Sequence, residues 1–247
     1  MKTYVVNMLK DTQKRATIEK QLAVHPELDY QIWKAVEGRK LAQEELKDCV
    51  SPLFYQRYKK YASLPALGCA LSHISIYRDI VQNNIPYALI LEDDAILSQN
   101  LCLDKLVPLL NTDKPIAILL TSDFWYKKDA LVKEISENHQ VFQLYDGYMT
   151  SGYLVNKACA ELLQKKIYPV QFTADAWKDF IDLGVTLYGV VPHVISFPDG
   201  MGEIGQSGYI PQTLFQKMKA KIAWMYIRML WMGKYLKGHR MSKKRWC

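Results

Sequence analysis

The feature that most narrows the fold is a series of short apolar runs, each long enough for one strand, alternating with segments of helical composition. "TYVVNM" (3–8) opens the series with a β-branched, apolar middle. "KDTQKRATIEKQL" follows with helical composition and Asp11 or Thr12 as its N-cap. "YQIWKAV" (30–36) alternates as a second strand, and "LAQEELKDCV" is helical. "LPALGCALSHISIYRDIVQNN" (64–84) carries two apolar stripes, which predicts a helix covered on most sides. Further strands are expected at "YALILE" (87–92), "PIAILLT" (115–121), "QVFQLY", "MTSGYLV" and "VTLYGVV" (185–191). Helices are expected at "NKACAELLQKK" (156–166) and at "FTADAWKDFIDLG" (172–184), the latter closed by Gly184. Such alternation specifies an α/β sandwich around a mixed, mainly parallel sheet.

In open sheets of this kind, ligands bind beyond the carboxyl ends of the strands. The run "ALILEDDA" places Glu92, Asp93 and Asp94 at such an end. Three adjacent carboxylates repel one another and call for a positive partner. Hard oxygen ligands suit Mg²⁺ or Mn²⁺, which share carboxylates with phosphate oxygens and water. Glu92 and Asp94 have the D-x-D spacing and point to one side of an extended segment, with Asp93 on the other. The plainer alternative is a solvated acidic turn that caps the next helix.

Other candidates are single residues. His73 in its apolar helix is either a satisfied core histidine or a donor to a phosphate or sugar hydroxyl. Arg15 either steers a phosphate or faces solvent. Asp175, beside the expected N-cap Thr173, is either a helix-dipole carboxylate or a general base. Asp123 and Glu203 compete for that role. His193 and Asp199, after the last strand, complete a metal shell or belong to an ordinary loop. P-loop, dinucleotide-binding and serine-hydrolase signatures are absent from the sequence.

Charge divides the chain. Residues 204–247 hold seven Lys and three Arg and no Asp or Glu, which is +10 within a total of +7 and leaves −3 on the rest. This end interleaves two Trp and four Met between 218 and 232 with its cations. A cationic, aromatic, amphipathic helix lies in the headgroup region of an anionic membrane. A helix docked on the body and a nucleic-acid-binding arm are the other readings, and the density of large apolar residues favours the membrane. The expected division is therefore a catalytic domain over 1–214 and a basic, helical tail over 215–247.

The five cysteines are odd in number and contain no CxxC pair, which argues against a disulfide framework and a zinc site. They fit a reducing cytosol. The opening residues lack the long apolar stretch of a secretory signal, and no run approaches a membrane span.

Five segments together carry a resemblance. "VVNMLKDTQKR", "LGCALSHISIYRDI", "ALILEDDA", "TSGYLVNKACAELL" and "TADAW" occur in the order of the motifs of glycosyltransferase family 25. These are bacterial lipooligosaccharide glycosyltransferases related to collagen galactosyltransferases. One departure is the approach to the second segment, which reads "SLPAL" where the family has acidic or Gly-rich residues. The resemblance implies a GT-A-like fold, a UDP-sugar donor (UDP-galactose in bacterial members), a divalent ion and a lipooligosaccharide acceptor. It also implies inversion at the anomeric carbon and places the enzyme peripherally on the cytoplasmic face of the inner membrane. By position, Glu92, Asp93 and Asp94 correspond to the metal and donor motif. Asn7 and Arg15 would lie near the nucleotide, and Ser72 and His73 near the donor pocket. Two other classes stay open. A glycoside hydrolase needs carboxylates about 5 to 9.5 Å apart across a sugar, which sequence neighbours serve poorly. A non-enzymatic membrane- or nucleic-acid-binding protein would leave the acidic triplet unexplained.

Overall fold

The computed structural model describes residues 1–58, 62–198 and 238–241. Its strands are β1 (Lys2–Asn7), β2 (Asp29–Lys34), β3 (Tyr87–Glu92), β4 (Ile96–Leu97), β5 (Ile116–Leu119), β6 (Phe124–Glu134), β7 (Gln140–Gly147), β8 (Gly152–Asn156), β9 (Thr186–Val191), β10 (Ile195–Ser196) and β11 (Gly238–Met241). Its helices are α1 (Thr12–Leu22), α2 (Gln43–Cys49), α3 (Pro52–Tyr58), α4 (Leu64–Gln82), α5 (Leu103–Leu110), α6 (Lys157–Lys166) and α7 (Trp177–Asp182).

Nine strands form one sheet in the order β11-β6-β7-β9-β5-β8-β3-β1-β2. β1 pairs in parallel with β2 and β3, and β5 with β9. β8 runs antiparallel between β3 and β5. β7 is antiparallel to β9 and β6, and β11 to β6, so six of the nine strands point one way. This is the mixed, mainly parallel α/β sheet that the alternating runs specify.

Each central strand is buried on both faces, and its side chains divide between two cores with period two. Tyr4, Ala88, Ile90, Ala117 and Leu119 pack on the face covered by α4, α6 and α7. Val5, Leu89, Leu91, Ile116 and Ile118 pack on the face covered by α1 and α5. Each fully buried Leu or Ile contributes about 1.5–3 kcal/mol. α4 starts at Ser63, whose hydroxyl accepts from the Ala66 amide at 3.3 Å, with Pro65 in the first turn. Gly68 lets the helix touch the loop after β2, because a Cβ there would lie 2.4 Å from the Val36 carbonyl oxygen.

Several expectations change. α7 begins at Trp177 with Ala176 as N-cap, so Thr173 is not the cap. The Thr173 amide instead donates to the Tyr58 hydroxyl at 3.1 Å. β6 escapes a hydrophobic reading because Lys127, Lys128 and Asp129 occupy its exposed middle, where the pairing with β7 shifts register. α5 holds Pro108 inside it, which disguises a helix. Gly238–Met241, placed by sequence in a helical tail, is instead a strand beside β6. The rest of that tail lies outside the described residues. Among the described residues, no helix is long and apolar enough to cross a membrane.

Candidate active site

The alternation that divides the core also sorts the carboxylates at the end of β3. Glu92 continues the Ala88–Ile90 series toward α4, and Asp93 continues the Leu89–Leu91 series toward α1.

On the α1 side, Asn7 Nδ2 donates to Asp93 Oδ2 at 2.8 Å, and Lys14 Nζ lies 3.5 Å from Asp93 Oδ1. Burial raises the Asp93 carboxyl above its usual range, although Asn7 and Lys14 counter it. Burial works against the Lys14 charge, but Asp93 and Asp94 outweigh it and hold the ammonium above its ordinary range. Lys14, Ile18 and Leu22 recur every fourth residue, and Ile18 and Leu22 are buried. Lys14 therefore extends the sheet-facing stripe of α1 to the strand ends.

On the α4 side, the Thr150 hydroxyl donates to Glu92 Oε1. His73 Nε2 lies 3.8 Å from the same oxygen, too far for a hydrogen bond. Burial pushes the Glu92 carboxyl up; His73, Thr150 and Lys14 more than offset this and hold it below the usual range. Asp94 is less well served. Burial, and next the charge of Glu92, pushes its carboxyl up to about 6. Its Oδ1 is buried without a hydrogen-bond partner.

These groups open into a cleft of about 590 Å³ at the carboxyl ends of β1, β2 and β3. Val6, Met8, Lys10, Asp11 and Lys14 form one wall, and residues 35–39 after β2 form another. Pro65, Ala66, Cys69 and Ser72 of α4 face Glu92, Asp93 and Asp94. Met149, Thr150, Ser151, Thr173, Ala174, Asp175, Phe197 and Pro198 complete it. Lys10, Lys14 and Arg39 add positive charge to an otherwise acidic rim.

The predicted residues divide. Asn7, Asp93, Glu92 and Asp94 come together, and Asp175 lines the same cleft. Ser72 also lines it, but its hydroxyl accepts from the Val36 amide at 2.8 Å and donates to the Gly68 carbonyl at 2.7 Å, tying α4 to the loop after β2. His73 is buried behind the cleft wall. Arg15 does not line the cleft; it is exposed and pairs with Glu19 at 3.1 Å. One residue is about 100° of helix, and it is the neighbouring Lys14 that lines the cleft. Asp123 sits just before β6 and His193 is buried after β9, and neither lines the cleft. Glu203 and Asp199 lie outside the described residues. Lys10, Arg39, Thr150 and Cys69 were not foreseen, and only Cys69, one turn before His73, left a readable spacing.

The cleft tests whether a divalent ion suits these residues. A buried carboxylate oxygen without a partner, on a group whose charge is disfavoured by its neighbour, is what a hard cation relieves. Asp94, with Glu92 beside it, fits that ion.

The fold and cleft define an α/β protein with a cleft at its parallel strand ends, flanked by acidic and basic side chains. The chain belongs to glycosyltransferase family 25 (LPS biosynthesis protein), whose family model matches residues 1–177. It is a glycosyltransferase of LPS biosynthesis, and the family implies a nucleotide-sugar donor and an LPS-type acceptor. No curated protein sequence matches the chain. Among solved structures, A197 from STIV is 10% identical with a TM-score of 0.41, covering 82% of this chain and 86% of that one. A mannose-1-phosphate geranyltransferase from Thermus thermophilus is 11% identical with a TM-score of 0.37, covering 80% and 74%. Galactosyltransferase LgtC, in complex with donor and acceptor sugar analogs, is 12% identical with a TM-score of 0.33, covering 76% and 73%.

Proposed function

We propose that the protein moves a hexose from a UDP-sugar, UDP-galactose as the leading donor, onto a lipooligosaccharide core, with inversion at the anomeric carbon. The observation that carries this reading is Asp94: a carboxylate with an unpartnered buried oxygen, at a strand end, in a cleft that also holds Lys10, Lys14 and Arg39. Asp94 and Glu92 would hold Mn²⁺ or Mg²⁺, which when bound neutralises charge on a departing diphosphate. Lys14 supplies a fixed cation on the same side, anchored by Asp93. Asn7 holds Asp93 in place and keeps that carboxylate turned from Asp94.

Asp175 is the base in this reading. Asp175 lines the cleft on the turn before α7, whereas Asp123 does not; Glu203 lies outside the described residues. It would take the proton from the acceptor hydroxyl as that oxygen attacks the anomeric carbon and the diphosphate leaves from the opposite face.

Calorimetry with UDP, with and without Mn²⁺, tests the donor and metal together. Wild type should bind UDP more tightly with Mn²⁺, and Asp94→Ala should lose that dependence while keeping its circular dichroism. Equal Mn²⁺-dependent binding in the variant would remove Asp94 from the site.

The composition of the tail supports a peripheral position on the cytoplasmic face of the inner membrane, where lipid-borne acceptors are accessible. Because β11 belongs to the sheet, substitution tests this better than deletion. Replacing Lys217, Lys219, Lys221 and Arg228 with Ser should abolish sedimentation with anionic vesicles; unchanged sedimentation would refute the anchor.

A further inference from the structure

We infer that Cys69, His73 and Glu92 form an inner site for one divalent transition-metal ion, with zinc as the best match. It shares Glu92 with the ion of the donor reading but takes its other two ligands, Cys69 and His73, from α4 and does not use the carboxylate of Asp94.

Cys69 and His73 are four residues apart on α4 and so share one face. Glu92 reaches that face from β3 through the strand's alternation. The three donor atoms lie within 4.8 Å of one another, and His73 Nε2 to Glu92 Oε1 is 3.8 Å. Zinc at its usual bond lengths sets ligand atoms about 3–4 Å apart, so the group closes in by about 1 Å.

His73 supplies the independent sign. It is 1% exposed, and its Nε2 has no hydrogen-bond partner. The other nitrogen is engaged: Nδ1 lies 2.7 Å from the Tyr153 hydroxyl, which lies 2.8 Å from the Tyr77 hydroxyl. The His73 and Tyr153 rings also stack at 5.7 Å. With Nδ1–H given to Tyr153, and the Tyr153 proton to Tyr77, Nε2 presents a lone pair to Cys69 and Glu92. A metal-bound histidine is oriented in this way, with its outer N–H anchored. Thr150 anchors Glu92 in the same manner. As a purely structural pair, His73 and Glu92 would leave a buried nitrogen unsatisfied, which costs about 1–3 kcal/mol.

The donor set is one sulfur, one imidazole nitrogen and one carboxylate. This suits Zn²⁺ and disfavours Mg²⁺, which takes oxygen. Cys69 and Glu92 both line the cleft, so a fourth position would open toward it. Burial, and next the charge of Glu92, holds the Cys69 thiol well above its usual range. Binding therefore forms an S–metal bond as the thiol proton leaves to solvent.

The test begins with full-length protein dialysed against chelator and titrated with Co²⁺. One equivalent should bind with a thiolate-to-cobalt charge-transfer band, release a proton, and be displaced by Zn²⁺. Cys69→Ser should lose the band and weaken zinc by at least about 100-fold. Asp94→Asn should keep the band. A full-strength band in Cys69→Ser, or no band in wild type at stoichiometric Co²⁺, would overturn the site. Should Cys69→Ser fail to fold, X-ray absorption of zinc-loaded wild type decides. One sulfur at about 2.3 Å supports the site, and a shell of oxygen and nitrogen alone overturns it.

Discussion

The two ends of the β3–β8 pair treat buried polarity in opposite ways. At one end Tyr87 lies opposite Asn156, and at the other the Glu92 amide donates to the Ser151 carbonyl at 3.2 Å. Asn156 is 1% exposed and fully used. Its oxygen accepts from the Ile116 and Cys159 amides, each at 3.0 Å. Its nitrogen faces the carbonyls of Leu110, Thr112 and Lys114 at 3.2, 3.0 and 2.8 Å. That side chain caps α6 and fastens the loop before β5. The carboxylate end is the reverse, for Asp94 Oδ1, Asp11 Oδ2 and His73 Nε2 are buried without hydrogen-bond partners. A satisfied buried group holds a fold together, whereas an orphaned one stores a cost that a ligand can relieve.

The largest effect that can break this comparison is chemical. Asp175→Asn should leave UDP binding unchanged and lower transfer about 100- to 10,000-fold in a steady-state assay. A normal rate would move the base elsewhere. Next comes stability at the opposite end. Asn156→Ala strands several buried groups and should cost about 3 kcal/mol in urea unfolding, a drop in Tm on the order of 10 °C. If instead it changed donor affinity at constant stability, the two ends would not be distinct. A smaller effect is expected for Lys14→Ala, which should weaken UDP about tenfold in calorimetry, whereas Arg15→Ala should not alter it. Equal losses in both would cancel the assignment made from the phase of α1.

An effect of similar size concerns Asp94 in metal-free protein. Its carboxyl is raised from 3.8 to about 6 on folding. Between those values the folded chain holds the proton more tightly than the unfolded chain. Stability therefore falls as pH rises through that window, and the loss is complete above it. Asp94→Asn should thus stabilise the protein by about 1–2 kcal/mol near pH 7, allowing for partial solvent exposure, with no gain near pH 3.5. Equal gains at both pH values in urea unfolding would place the cost outside the charge.

Much of the sheet was legible. β3 matches its expected span of 87–92, and β1, β2, β5, β7, β8 and β9 each overlap an expected strand. The central strands have apolar runs long enough to be buried on both faces, which leaves a plain mark in sequence, whereas the edge strand β2, with no buried residue, is read from its alternation. β6 left no such mark, because its middle faces solvent. The acidic triplet was legible too, and period two already separates Glu92 from Asp93. Lys14 was harder to find, since the choice between it and Arg15 depends on which side of α1 meets the sheet.

The sequence by itself determined the α/β class, the position of the acidic triplet at a strand end and the family motifs, because these follow from periodicity and local order. Only the tertiary structure decided which partners those carboxylates meet. Asn7 and Lys14 reach Asp93 from β1 and α1, and His73 and Thr150 approach Glu92 from α4 and the segment before β8. These contacts join residues 58 to 86 positions apart for the hydrogen-bonded pairs, where chain proximity carries no information. For Asp94 the packing brings burial and the charge of Glu92, which Lys14 and a backbone hydrogen bond only partly counter, and it leaves Oδ1 without a donor.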